Sequence, residues 1–281
     1  MPTPVARPGV LAVGRGLLVA CHPLPSAAVT TFATGWAFAV GLPPARIALL
    51  AFAVLLGQLS IGWCNDWVDA PRDRAVARRD KPVVEGLVPV GLLGASAVVA
   101  LGGCVVASLA LGVRPGLVHL LAVASGWSYD LVLKPTPVSP LPYAVAFGLL
   151  PAVATLAAVP PRWPAAGVLA GAALLGMAAH FANTVGDVEQ DEATGVRGLP
   201  QRLGPARSLQ VSAALVALAG CALLTAAPRT GILPLALLTA GVVLAACGAA
   251  LASRMAGRGR TAFRLTLGAV ALVVGGFLLS A

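Results

Sequence analysis

Two short stretches of this chain repeat one pattern of amide and carboxylates. The first is Asn65-Asp66-Trp67-Val68-Asp69-Ala70-Pro71-Arg72-Asp73, and the second is Asn183-Thr184-Val185-Gly186-Asp187-Val188-Glu189-Gln190-Asp191. Both spell Asn-x-x-x-Asp-x-x-x-Asp. On a helix, the i, i+4, i+8 spacing lines these oxygens down one face, with neighbouring positions about 5 to 6 Å apart. Each face is then a comb of oxygen ligands. Two facing combs suit a diphosphate, because Mg²⁺ favours six oxygens, keeps several waters, and is usually held by one or two carboxylates together with phosphate oxygens. Such ions neutralise the charge that builds on a diphosphate as its ester bond to carbon breaks. One comb alone reads equally well as solvated chemistry at a helix end. A second copy at the same spacing, in a chain of 281 residues with only ten acids, argues for the combs.

The elements that must carry the combs are membrane helices. The chain is 58% hydrophobic and 10% charged, with mean hydropathy +0.91, whereas a soluble domain is about a quarter charged. Apolar stretches of about 20 residues, enough to span a bilayer as helices, recur from end to end. They predict an all-α bundle of nine transmembrane helices: Leu17 to Val40, Ile47 to Trp67, Val90 to Leu111, Gly116 to Leu133, Leu141 to Val159, Ala165 to Gly186, Ala206 to Ala227, Ile232 to Ser253 and Ala262 to Ser280. Residues 1–16 read as a poorly ordered cytoplasmic arm and 17–281 as a single integral-membrane domain. No cleavable signal peptide is expected, since the first apolar stretch is full length and contains Pro23 and Pro25.

Charge gives the orientation. With the N-terminus inside, 15 of the 19 Lys and Arg residues and all ten acids fall on the inner side. The basic excess follows the positive-inside rule, which makes no demand on acids. A need for carboxylates on the cytoplasmic face explains the rest. The net charge of +9 is accounted for by arginines beside anionic headgroups and calls for no nucleic acid. Five cysteines on different spans, without a Cys-x-x-Cys pair, read as small apolar residues.

The inner segment Val68 to Val88 mixes Arg72, Arg74, Arg78, Arg79 and Lys81 with Asp69, Asp73 and Asp80. It reads as a lid whose cations grip phosphate oxygens, or as a solvated basic loop. Tyr129 and Lys134, after span four, read either as diphosphate contacts or as an aromatic-belt residue and a positive-inside lysine. His22 reads as interfacial, with a place at a pocket mouth as the alternative. The combs are 118 residues and four spans apart, hence on one side of the membrane, which is the pattern of a parallel repeat of four-helix units.

These features resemble the UbiA superfamily of intramembrane prenyltransferases over essentially the whole chain. The family's Asn-Asp-x-x-Asp-x-x-x-Asp is matched by Asn65, Asp66, Asp69 and Asp73, and its second motif by Asn183, Asp187, Asp191 and Gly195. Thr184 stands where Asp is common, Lys81-Pro82 where Arg-Pro is usual, and Gly198-Leu199-Pro200 where Thr-Leu-Pro is usual. The resemblance implies a bundle around a central cavity with cytoplasmic cap loops and an apolar tunnel for an isoprenyl tail. It also implies Mg²⁺ on Asn65, Asp66, Asp69, Asp73, Asn183, Asp187 and Asp191, with Asp69 and Asp187 central to catalysis. Arg74, Arg79, Lys81, Lys134, Arg197 and Tyr129 are the candidates for diphosphate contact. The expected activity is transfer of an isoprenyl group from an isoprenyl diphosphate to a lipophilic or aromatic acceptor, with a terpene cyclase of the same superfamily as the alternative. A transporter is disfavoured because the acids lie at the inner edge rather than the midplane. A nucleotide-alcohol phosphotransferase is disfavoured because its aspartate pairs would share one contiguous motif.

Overall fold

The computed structural model describes residues 9–186, 188–226, 231–254 and 259–280. The helices in order are α1 (Val10–Ala20), α2 (Pro23–Ala39), α3 (Pro44–Ala75), α4 (Val90–Ala110), α5 (Val113–Ser128) continued by a π-helical turn (Tyr129–Leu133), α6 (Leu141–Ala157), α7 (Ala166–Thr184), α8 (Val188–Ala193), α9 (Leu199–Ala226), α10 (Ile232–Arg254) and α11 (Gly259–Ser280). Neighbours in sequence pack side by side, α9 follows α7, and α11 returns to α2, so the helices close into a ring. The Trp36 and Phe277 rings stack at 5.2 Å where α2 meets α11. Across the ring, Trp36 Nε1 donates to the Pro151 carbonyl at 3.0 Å.

Among the described residues, six helices are long and apolar enough to cross a membrane by length and composition, or seven if the bent pair of α1 and α2 counts as one span. α6 (Leu141–Ala157) is a shorter apolar helix, where the sequence predicted a full span, and the stretch of α11 whose side chains are described, Arg264–Ser280, is predominantly apolar. The first predicted span is two helices meeting at 60°, because prolines at 23 and 25 cannot continue the hydrogen-bond ladder of α1 and His22 turns left-handed at φ 52°. Residues 10–16, predicted as arm, are the first turns of α1.

The largest departure is α3. The sequence ended this span at Trp67, yet the helix has 32 residues, a length of about 48 Å at 1.5 Å per residue. A hydrocarbon core of about 30 Å takes about 20 residues, so from Pro44 the apolar thickness is spent near Cys64. The whole first comb therefore rides on helix that emerges at the interface. Residues 76–89 fold back as a series of turns. Their Val83 and Val88 are buried with Ala20, Ala70 and Leu93 in a small separate cluster, which pins the loop between α1 and the comb.

Candidate active site

On α3, Asn65, Asp69 and Asp73 share one helical face as the spacing predicts, with Asp69 and Asp73 buried. Facing them is the π-helical turn, in which the Lys134 N–H reaches back to the Tyr129 carbonyl at 2.9 Å. Such wide turns recur at functional sites. Here the turn sets Asp130 and Lys134, four residues apart, against Asn65 and Asp69, also four apart. Asn65 Nδ2 donates to Asp130 Oδ1 at 2.9 Å, and Lys134 Nζ donates to Asp69 Oδ2. Asp69 also accepts from Arg72, one turn on.

Asp66 points to the other flank. It is 2% exposed, and its Oδ1 accepts from Lys81 Nζ at 2.7 Å and from His22 Nε2 at 3.1 Å. It thus ties the α1–α2 bend and the following loop to the comb helix. Cys21 O lies where a Cβ on Gly62 would meet it at 2.8 Å, so this approach needs glycine. Trp63 Nε1 adds a bond to the Leu17 carbonyl at 2.8 Å.

The second comb is not one continuous helical face. α7 ends at Thr184 and α8 starts at Val188. The Thr184 hydroxyl bonds back to the carbonyls of His180 and Phe181, a bond that competes with the helix ladder, and Gly186 follows. Asn183 is exposed at the end of α7. Asp187 lies outside the described residues. Asp191, on α8, accepts from Gln201 Nε2 at 2.7 Å. Gly195 turns with φ 80°, the left-handed conformation glycine adopts without penalty.

Both motifs nevertheless meet. Asp69, Arg72, Asp73, Val76, Arg78, Asp191 and Thr194 line one small polar crevice. Of the predicted diphosphate contacts, Lys134 and Lys81 are engaged on comb carboxylates, while Arg74, Arg79 and Arg197 are exposed and do not border the crevice. Tyr129 is buried and packs edge-on to Tyr143 at 5.1 Å and to His180 at 5.4 Å. Arg72 and Arg78, named only among the lid cations and not among the diphosphate-contact candidates, line the crevice. Arg72 was legible as the i+3 partner of Asp69 once α3 is extended. Asp130, His180 and Gln201 were also missed. His180 is 1% exposed, with Ser139 Oγ at 3.0 Å from its Nε2.

Electrostatically, the crevice sets three carboxylates, Asp69, Asp73 and Asp191, beside two guanidinium groups, Arg72 and Arg78. Burial pushes the Lys134 ammonium below its usual range, opposed by the Asp191 carboxylate. The Arg78 guanidinium, hydrogen-bonded to Asp80 at 2.7 and 3.2 Å, holds that carboxyl below the ordinary range. Among the described residues, no three His, Cys, Asp or Glu side chains converge into a ready metal cage. Asp69, Asp73 and Asp191 around one crevice are a hard, all-oxygen set. They fit an ion such as Mg²⁺, whose remaining ligands are waters and phosphate oxygens.

A groove of about 830 Å³ runs along α3 and α4, lined by Leu49, Phe52, Leu56, Trp63, Leu92 and Val99 among others. Its α3 residues recur every three to four positions, and none of its lining residues is among those that line the crevice.

The chain matches the UbiA prenyltransferase family over residues 27–268. No curated protein matches it. Among solved structures, a UbiA homologue from Archaeoglobus fulgidus bound to DMAPP and Mg²⁺ is 17% identical, with TM-score 0.70 over 93% of this chain and 98% of that one. The apo UbiA homologue from Aeropyrum pernix K1 is 21% identical, with TM-score 0.71 over 89% and 96%. A digeranylgeranylglyceryl phosphate synthase is 17% identical, with TM-score 0.70 over 95% and 98%. At these identities the structures show a shared fold. With that fold, two acid motifs meeting at one crevice, and a match spanning most of its length, the chain belongs to the UbiA prenyltransferase family.

Proposed function

We propose that this protein transfers an isoprenyl group from an isoprenyl diphosphate to a lipophilic acceptor, with an aromatic ring as the favoured class. The observation that carries the reading is the crevice where Asp69 and Asp73 of one motif meet Asp191 of the other, bordered by Arg72 and Arg78. Asn65, Asp66, Asp69, Asp73, Asn183, Asp187 and Asp191 are the assigned metal-site residues. Mg²⁺ bound there would supply charge neutralisation for the departing diphosphate. The chain's own cations do the remaining work on the phosphates. Lys134, Lys81 and Arg72 now rest on comb carboxylates and can exchange them for phosphate oxygens, with Arg72 and Arg78 already at the crevice.

The ester C–O bond breaks with its electron pair leaving on the diphosphate. The allylic cation takes an electron pair from the acceptor, which then sheds a proton. Tyr129, which precedes the Asn65 partner Asp130, joins Tyr143, Phe147 and Phe181 in a chain of ring contacts with His180. Aromatic faces stabilise a nearby cation, and burial keeps out the water that would quench it. The homologue bound to GPP and Mg²⁺ supports this class of donor.

We place nine crossings in the membrane: the six long helices, the α1–α2 bend, α6 and α11. The basic excess supports a cytoplasmic side for the N-terminus, the crevice and the cap loops. The internal repeat of four-helix units remains part of this reading. The test incubates purified protein in nanodiscs with geranyl diphosphate and Mg²⁺, with and without a phenolic acceptor, and analyses the products. Prenylated acceptor supports the transferase. A cyclic hydrocarbon or alcohol formed without any acceptor would replace it with the cyclase.

A further inference from the structure

Among the described residues, three buried side-chain atoms have no hydrogen-bond partner: Asp130 Oδ2, His180 Nδ1 and Gln201 Oε1. A buried unpaired polar atom costs about 1–3 kcal/mol, and more when charged, so each calls for a physical reason. Gln201 Oε1 faces the backbone at Gly198, where a Cβ would stand 2.7 Å from it. His180 Nδ1 belongs to a ring packed among aromatic rings. Asp130 is different, because its other oxygen is the acceptor for Asn65, the first residue of the first comb.

Asp130 is 4% exposed. The charges that face it are Lys134 and Lys81 and, of like sign, Asp66. Both lysines donate elsewhere, to Asp69 and to Asp66. Neither lysine bonds Asp130 as the structure stands, so its open oxygen is free to accept from a donor brought in with a ligand. Phosphate oxygens are acceptors and do not qualify. Water carried on a divalent cation does, because Mg²⁺ keeps several of its waters when it binds and polarises their hydrogens.

Resting on the metal-diphosphate reading above, we propose that Asp130 is a positioning residue for a hydrated divalent cation at the first comb. One oxygen engages the Asn65 N–H, which leaves Asn65 Oδ1 as the ligand atom. The other accepts a hydrogen bond from a water on the ion. Outer carboxylates of this kind orient ligands, and their loss costs 10- to 100-fold in metal affinity.

The test titrates Mn²⁺, as an EPR-visible stand-in, into the full-length protein in nanodiscs with inorganic diphosphate, so that nothing turns over. Diphosphate binding without metal is measured alongside. Asp130→Asn keeps an oxygen for the Asn65 amide but replaces the orphaned oxygen with a donor. We expect Mn²⁺ affinity to fall about tenfold or more, with metal-free diphosphate binding within threefold of the parent. Asp130→Ala should lose at least as much Mn²⁺ affinity. If Asp130→Asn binds Mn²⁺ like the parent, the orphaned oxygen serves no metal water and the proposal falls. If both variants lose metal-free diphosphate binding as well, the residue is merely structural, which also overturns it. A parent protein that binds no Mn²⁺ with diphosphate sinks the metal-diphosphate reading itself, and this inference with it.

Discussion

Replacing Lys134 by Met tests whether the buried lysine contributes more to diphosphate binding than the exposed arginines do. Lys134 sits on Asp69 with its side chain 14% exposed, whereas Arg74 and Arg79 are exposed and away from the crevice. A hydrogen bond to a charged group contributes about 1.5–3 kcal/mol. Taking about 2 kcal/mol, at 1.4 kcal/mol per decade, loss of the ammonium weakens diphosphate binding roughly 30-fold. The fold should tolerate the change. Removing one partner of a buried pair costs about 3–5 kcal/mol when it strands a charge, but Asp69 keeps Arg72, and Met fills the space of the lysine stem. We expect Tm to move by no more than about 4 °C, roughly 1 kcal/mol at this chain length. The assay is calorimetric titration of inorganic diphosphate with Mg²⁺ present, in nanodiscs, for Lys134→Met, Arg74→Ala and Arg79→Ala. The two arginine variants should stay within about twofold, as solvated charges do. Lys134→Met within threefold of the parent, or an equal loss in Arg74→Ala, would refute the reasoning.

Three further outcomes follow from packing and charge. Gly176→Ala drives a Cβ to 2.5 Å from the Tyr143 carbonyl and 2.6 Å from Phe147 Cβ. Overpacking of this kind costs about 1–3 kcal/mol and should lower Tm, while Gly102→Ala, with nothing within 4 Å, should not. Ser108 and His119, 2.7 Å apart, join α4 to α5, and a double-mutant cycle with Ser108→Ala and His119→Leu should read a coupling of about 0.6 kcal/mol, with about 1.7 as the ceiling for such membrane bonds. Asp80→Ala removes a tether on Arg78. It should tighten diphosphate binding up to about threefold at low salt, an advantage that screening erases at high salt.

The first comb was legible because its ligands repeat at helical spacing at the end of an apolar run. The length of the helix beneath it was not, since beyond Trp67 the residues Asp69, Pro71, Arg72 and Asp73 read locally as a loop. Lys81, Arg72 and Lys134 hold those carboxylates from a loop, from within the helix and from a distant turn, and no local rule anticipates that. The break in the second comb was readable in retrospect, with two β-branched residues and Gly186 in succession. Asp130 had no periodicity to betray it, as its partner lies 65 residues away. His22 looked interfacial because its left-handed turn before Pro23, which swings it onto Asp66, is a tertiary outcome.

The most direct measurement is diphosphate release from geranyl diphosphate by the parent, Asp69→Ala, Asp187→Ala and Asp191→Ala proteins in nanodiscs, with Mg²⁺ and with EDTA. The account predicts release by the parent that requires Mg²⁺ and falls by at least about a hundredfold in each variant, roughly 2.7 kcal/mol of transition-state stabilisation. Release that persists in EDTA, or variants that match the parent, would contradict a metal-diphosphate site built from the two motifs.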